Sequence, residues 1–293
     1  MAWKGILPAV ITPFGADGRI DFDAFSENLV RMIEAGNAGL VINAVTGEGL
    51  SMSADERLAC VKCACEVAAG RVPVIATVGS VSDTDTIDDI QGAERAGAAG
   101  TMIIAPYFYR LSRKERIDYF VRMGSKSALP FIIYNTTYTS GQLEVDELEA
   151  IADATPRFVG LKEGNQLQAS EVVRRLSPQV AVYTSRDTYI QELAAAGGSG
   201  AVTYSSNVVP QLPVELWRAH EAGENARARA LQDALNPVAW ALVVRSFPSA
   251  IKGVMNELGW RAGSVRPPLE NATEEDMQRL RPILDELQLT STQ

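Results

Sequence analysis

One histidine and three cysteines among 293 residues leave little room for the commonest site chemistries. The only histidine, His220, lies in a polar stretch of helical spacing, so a histidine general base is excluded unless that residue serves. A structural zinc site usually needs four Cys or His ligands. Cys60, Cys63 and Cys65 share one helical segment, the first two on one face and the third turned away, and are expected to pack rather than to bind metal. The chain has neither a P-loop glycine run nor an HExxH pair, so no nucleotide cofactor and no metal is expected. Basic residues are in deficit: 27 Lys and Arg against 36 Asp and Glu give a formal charge of −9, which argues against nucleic acid or an anionic membrane as the main partner. A small anion stays open, because a few local donors suffice to hold a carboxylate. Long apolar runs are lacking too, and Met1-Ala2-Trp3-Lys4-Gly5 has neither the apolar stretch nor the cleavage site of a secretory signal, so the cytoplasm is expected.

Short apolar runs rich in β-branched residues are present in number, at 6–12, 39–43, 72–77, 101–105, 130–134, 158–162, 180–185 and 200–204, each followed by a segment of helical spacing. Strands apolar on both faces and alternating with helices imply a parallel sheet. Eight of them point to a closed (β/α)8 TIM barrel, with an open doubly wound sheet as the alternative. Ser53-Ala54-Asp55-Glu56 and Ser112-Arg113-Lys114-Glu115 each predict a capping box. Gly36, Gly97 and Gly197 close helical stretches as left-handed caps do. Beyond residue 208 only helical patterns remain, at 212–222, 226–244, 248–258 and 274–288. The expected organisation is therefore a catalytic barrel over 1–208 followed by a helical region over 209–293.

A barrel of this kind places its active site at the C-terminal ends of the strands. The runs there lead into Thr46-Gly47-Glu48, Pro106-Tyr107-Phe108, Tyr134-Asn135, Lys162 and Ser185-Arg186-Asp187. Lys162 ends an apolar run, and an apolar setting lowers a lysine pKa from about 10.4 toward the range in which the amine attacks a carbonyl to form an imine. The alternative is a strand-end lysine that reaches water or pairs with Glu163. Imine chemistry also needs carboxylate donors, which Thr46 and Gly47 can supply, and a proton carrier, for which Tyr134 on the adjacent strand is the candidate.

Several segments in register carry a resemblance that covers nearly the whole chain: Pro8-Ala9-Val10-Ile11-Thr12-Pro13-Phe14, Thr46-Gly47-Glu48, Ala105-Pro106-Tyr107, Tyr134-Asn135, Gly160-Leu161-Lys162-Glu163 and Pro248-Ser249-Ala250-Ile251-Lys252. Together they resemble the dihydrodipicolinate synthase and N-acetylneuraminate lyase family of lysine-imine aldolases. The resemblance implies that Lys162 forms the Schiff base, that Tyr134 is the acid/base, that Thr46 and Gly47 hold the carboxylate of pyruvate or another 2-oxo acid, and that Val202 lies beside it. It also implies a homo-oligomer, tetramer or dimer.

The departures from the pattern bear on function. Ala44-Val45-Thr46-Gly47-Glu48 has an isopropyl group where the synthases carry a relay hydroxyl, and Phe108 stands at the second tyrosine of their relay. Thr136-Thr137-Tyr138-Thr139-Ser140-Gly141 lacks the family's loop arginine, and Arg186 is the expected replacement, with a surface salt bridge to Asp187 as its other reading. The leading expectation is a Schiff-base lyase that cleaves, condenses or dehydrates a 2-oxo acid of the 2-keto-3-deoxy sugar acid type. The alternatives are 4-hydroxy-tetrahydrodipicolinate synthase itself and a non-catalytic 2-oxo acid binding protein.

Overall fold

The computed structural model describes residues 3–243 and 246–286. Eight parallel strands, β1 (Gly5–Pro8), β2 (Leu40–Ile42), β3 (Val74–Val78), β4 (Gly100–Ile104), β5 (Phe131–Asn135), β6 (Phe158–Glu163), β7 (Ala181–Thr184) and β8 (Gly200–Thr203), each fall within or beside an expected run. Their order is β1-β8-β7-β6-β5-β4-β3-β2, and the remaining gap is closed by a parallel bridge from Ala9 to Val41. The first run shortens most, from seven residues to four. Regular pairing with β8 ends at Pro8, after which residues 9 and 10 turn to β2, with the Val10 amide donating to the Val41 carbonyl at 3.0 Å. The closed barrel, rather than an open sheet, is thus the architecture.

Between and after the strands lie α1 (Phe22–Glu34), α2 (Ala54–Ala68), α3 (Asp83–Arg95), α4 (Arg113–Ser125), α5 (Val145–Ala154), α6 (Gln166–Leu176), α7 (Ile190–Ala195), α8 (Gln211–Glu221), α9 (Asn225–Ala241), α10 (Ser249–Glu257) and α11 (Glu274–Glu286). The serine and glutamate of both expected capping boxes satisfy each other's backbone donors at the starts of α2 and α4. Residue 244 of the expected 226–244 helix, residues 287 and 288 of the 274–288 helix, and the first two residues lie outside the described residues.

Leu7, Ala9, Val41, Ile75, Met102, Ile132 and Val202 fill the barrel interior with side chains from six different segments, so the interior is packed and chemistry is confined to its mouth. A second cluster joins Ile6, Ile11 and Ala201 of the barrel wall to Leu216, Val238, Ile251, Val254 and Leu280 of the C-terminal helices. The three cysteines are unpaired thiols on α2, and burial pushes the Cys60 thiol up to about 12, which suits packing. Among the described residues no helix is long and apolar enough to cross a membrane.

Candidate active site

Register sets the centre of the site. Tyr134 of β5 pairs with Lys162 of β6, and Asn135 with Glu163, at the C-terminal ends of the two strands. Side chains alternate along a strand, so Lys162 enters the barrel mouth while Glu163 turns the other way. Lys162 Nζ lies 4.0 Å from the centroid of the Tyr134 ring. Glu163 accepts hydrogen bonds from Asn135 Nδ2 at 3.1 Å, Gln168 Nε2 at 3.0 Å and the Asn165 amide at 2.6 Å. Glu163 is therefore no partner for the lysine; it locks the ends of β5 and β6 that carry Tyr134 and Lys162.

Lys162 is 7% exposed. Burial pushes its ammonium down to about 8, with the carboxylate of Asp187 opposing the shift. A pKa near 8 leaves about one molecule in ten with a free amine at pH 7, compared with about one in a few thousand for a solvated lysine. Burial raises the Tyr134 phenol above its ordinary value, opposed by a hydrogen bond from Thr136 and by the charge of Arg186. The phenol is thus protonated at neutral pH and ready to donate.

Asp187 corrects one expectation. A surface salt bridge with Arg186 is not what forms: the aspartate is wholly buried and accepts the Ser205 amide at 2.7 Å and the Tyr204 amide at 3.2 Å. Burial lifts its carboxyl to about 6, against those hydrogen bonds and the charge of Lys162. Arg186 is exposed on the rim instead. The split follows the local backbone: Arg186 is extended beyond the end of β7, and Asp187 opens the 3-10 turn Asp187–Tyr189, whose first residue is buried. No signal in the sequence singled out Asp187, apart from its place one residue beyond Arg186 in the same strand-end list.

A cavity of about 510 Å³ opens over the lysine. Its lining includes Lys162, Tyr134, Thr46, Val202 and Arg186, bringing five of the six expected site residues together. Gly47, the sixth, is a correction: it stands outside the wall at the end of the 3-10 turn Val45–Gly47, where its amide is spent on the Ala44 carbonyl at 2.9 Å rather than offered to a carboxylate, and a Cβ there would stand 2.8 Å from the Val10 carbonyl oxygen. The wall also includes Thr136, Tyr138, Gln142 and Tyr204, none of which the sequence reading picked out. Thr139, at the position of the family's loop arginine, donates its hydroxyl to the Thr136 carbonyl at 3.1 Å and so holds the loop closed on itself. Val45 is exposed and also lines a neighbouring cavity of about 420 Å³, which shares Leu50 and Tyr134 with the first. Phe108 is 94% exposed in a left-handed conformation, φ 73°. Among the described residues no group of three His, Cys, Asp or Glu side chains could hold a metal ion.

A closed eight-stranded barrel whose mouth sets a desolvated lysine against a buried phenol defines a class I, lysine-imine lyase. The chain belongs to the dihydrodipicolinate synthetase family, whose sequence pattern matches residues 2–287. It is 32% identical over 287 residues to the 4-hydroxy-tetrahydrodipicolinate synthase of Methanoculleus marisnigri, covering 96% of this chain and 98% of that protein. Among solved structures it is similar to the dihydrodipicolinate synthase of Thermotoga maritima, with a TM-score of 0.95, 27% identity and coverage of 99% of this chain and 100% of that one. It is also similar to a prophage protein of the dihydrodipicolinic acid synthase family from E. coli K12, solved in complex with pyruvate, with a TM-score of 0.95, 28% identity and the same coverage.

Proposed function

We propose that this enzyme forms an imine between Lys162 and the C2 carbonyl of pyruvate or a longer 2-oxo acid, and that its physiological substrate is of the 2-keto-3-deoxy sugar acid type. The observation that carries the reading is the desolvated lysine 4.0 Å from the Tyr134 ring at the mouth of the barrel. The neutral amine attacks C2; the resulting carbinolamine loses its hydroxyl as water, with the proton supplied through Tyr134, and leaves a protonated imine. That imine withdraws electrons from C3. It allows either the C3–C4 bond to break, with the C4 hydroxyl proton passing to the same base, or a C3 proton to leave and a C4 hydroxyl to be expelled. After C3–C4 cleavage the remaining enamine takes back a proton at C3 from the Tyr134 phenol and becomes an imine again; on either route water then adds to C2, releases the 2-oxo acid and returns the amine. The Thr46 hydroxyl holds the C1 carboxylate, Val202 packs beside the C3 carbon, and neither cofactor nor metal is needed for any step.

Distal specificity favours the sugar-acid reading over the synthase. The loop arginine is replaced by Thr139, whose hydroxyl is engaged within the loop. Val45 and Phe108 cannot relay protons as hydroxyls do. Arg186 is the cation at the distal rim, next to Tyr138 and Gln142. Replacing Arg186 by alanine is expected to raise KM for a substrate with a polar tail by about 10- to 100-fold, the scale of one charge-assisted hydrogen bond, and to leave imine formation with pyruvate unchanged. Steady-state kinetics on a panel of 2-keto-3-deoxy sugar acids, with pyruvate plus aspartate semialdehyde as the comparison, checks this. Faster turnover of the semialdehyde pair than of every sugar acid would make the synthase the correct reading.

Imine formation should rise about tenfold per pH unit below 8 and level off above it, because the reacting species is the amine released as Lys162 titrates near 8. Asp187 stabilises the ammonium, so Asp187→Asn should move the break to lower pH. Rapid-quench borohydride trapping across pH 5.5–9.5 measures it; a break that stays put in the variant contradicts the assignment.

The proposal includes a homo-oligomer, dimer or tetramer, acting in the cytoplasm, and a chain in which 1–208 carries the chemistry and 209–293 supports it. Phe108, a large apolar side chain held out from the rim, favours association with a second copy. Light scattering across a concentration series tests it.

A further inference from the structure

The turn that carries Thr46 is not supported by the barrel alone. It consists of the 3-10 turn Val45–Gly47 and a second, Gly49–Ser51, and Glu48 is the joint between them, with φ 55° in the left-handed region. A glutamate adopts that conformation at a cost and keeps it only when its surroundings hold it there. Those surroundings come from the far end of the chain. Glu48 Oε1 lies 2.5 Å from Lys252 Nζ on α10, each side chain being 1% exposed. Glu48 Oε2 accepts the Arg266 amide at 2.8 Å. Lys252 Nζ donates to the Ser264 carbonyl at 2.7 Å and lies 4.4 Å from the centroid of the Phe14 ring, and the Arg266 guanidinium lies 4.1 Å from the same centroid. Arg266 also donates to the Ser51 carbonyl at 2.9 Å, where the second turn ends. The opposite side of the first turn is wedged against the Val10 carbonyl beneath Gly47.

We propose that the buried Glu48–Lys252 ion pair is a positioning device: through it the C-terminal helical region sets the orientation of the Thr46 donor, and hence the affinity for the substrate carboxylate. The inference rests on the imine reading above. Neither Glu48 nor Lys252 lines the cavity over Lys162, so neither touches substrate. A buried ion pair is also a poor way to add stability, since apolar replacements of similar volume are often neutral or better. What an ion-paired carboxylate that also accepts a backbone amide adds is direction, and here it is fixed two residues away from the Thr46 donor. The pair also joins positions 204 residues apart, which gives the C-terminal region a role in binding rather than only in covering the barrel wall.

The test uses the full chain as wild type and as Lys252→Met, Lys252→Arg and the double variant Glu48→Gln/Lys252→Met. Two readouts are taken: the pyruvate concentration that half-saturates borohydride-trapped adduct on Lys162, and Tm. The single Lys252→Met variant should raise the half-saturating concentration at least about tenfold, the scale of one charge-assisted contact, with trapping at saturation close to wild type. Lys252→Arg should restore it to within about threefold, since a cation is again within reach of the carboxylate. The double variant leaves no uncompensated buried charge, so it should regain Tm while its half-saturating concentration stays raised. A double variant with recovered Tm and wild-type half-saturation overturns the inference, even if Lys252→Met itself fails to fold. Failure of the wild type to give any adduct is a separate result, and it removes the imine reading itself.

Discussion

Lys162→Ala loses at least about 10⁴-fold in turnover of any 2-oxo acid substrate and forms no covalent adduct with pyruvate, because the nucleophile on which both bond-breaking routes depend is gone. Lys162→Arg should be no better: its guanidinium stays protonated and cannot attack a carbonyl. The size of the effect follows from the setting of the residue. Moving the lysine pKa from about 10.4 to about 8 multiplies the reactive amine at pH 7 by roughly 200, and the imine then supplies the electron sink at C2. The substitution removes one buried side chain whose charge is imperfectly compensated, so the fold should survive and far-ultraviolet circular dichroism should match wild type. Steady-state kinetics together with intact mass after borohydride treatment checks the claim. Turnover within about a hundredfold of wild type in Lys162→Ala would mean that another group carries the chemistry.

Tyr134→Phe is expected to lower kcat by about 10²- to 10⁴-fold, the usual range for loss of a positioned acid/base, and to slow adduct formation without abolishing it. The ring that packs 4.0 Å from Lys162 Nζ is kept in this variant, so desolvation of the lysine and the pH at which it titrates should change little. The phenol proton alone is removed. Burial keeps that phenol protonated at rest, and it can yield its proton once the carbinolamine hydroxyl needs one. Pre-steady-state trapping separates a slowed imine step from a slowed cleavage step. Wild-type kcat in Tyr134→Phe would assign the proton transfers elsewhere, with the Thr136 hydroxyl and bound water as the next candidates.

Much of the architecture was legible because parallel barrel strands are apolar on both faces and stand out between amphipathic helices. The runs at 158–162 and 130–134 located Lys162 and Tyr134 side by side before any coordinates, since the last residues of adjacent strands must face one mouth. Thr46 and Arg186 were legible from the same strand-end positions, whereas Val202 rested on the family resemblance. Asp187 was not. Its burial depends on which residue of a strand-end loop dips into the barrel, and a neighbouring arginine made a surface pair the simpler reading. The role of Glu163 was hidden for a related reason: adjacency to Lys162 suggested a pair, whereas strand alternation sends the two side chains to opposite sides. Glu48 and Lys252 were visible only as members of motifs. Nothing local to either says that a lysine 204 positions later pairs with Glu48.

The central claim is the imine on Lys162, and borohydride reduction of the wild-type enzyme with pyruvate, followed by intact mass and peptide mapping, tests it most directly. The account predicts a single mass gain of one reduced pyruvate per chain, mapped to Lys162, appearing faster as the pH rises toward about 8 and no faster above it. Absence of any adduct with pyruvate and with every 2-oxo acid of the sugar-acid panel, or an adduct mapped to another lysine, would contradict it.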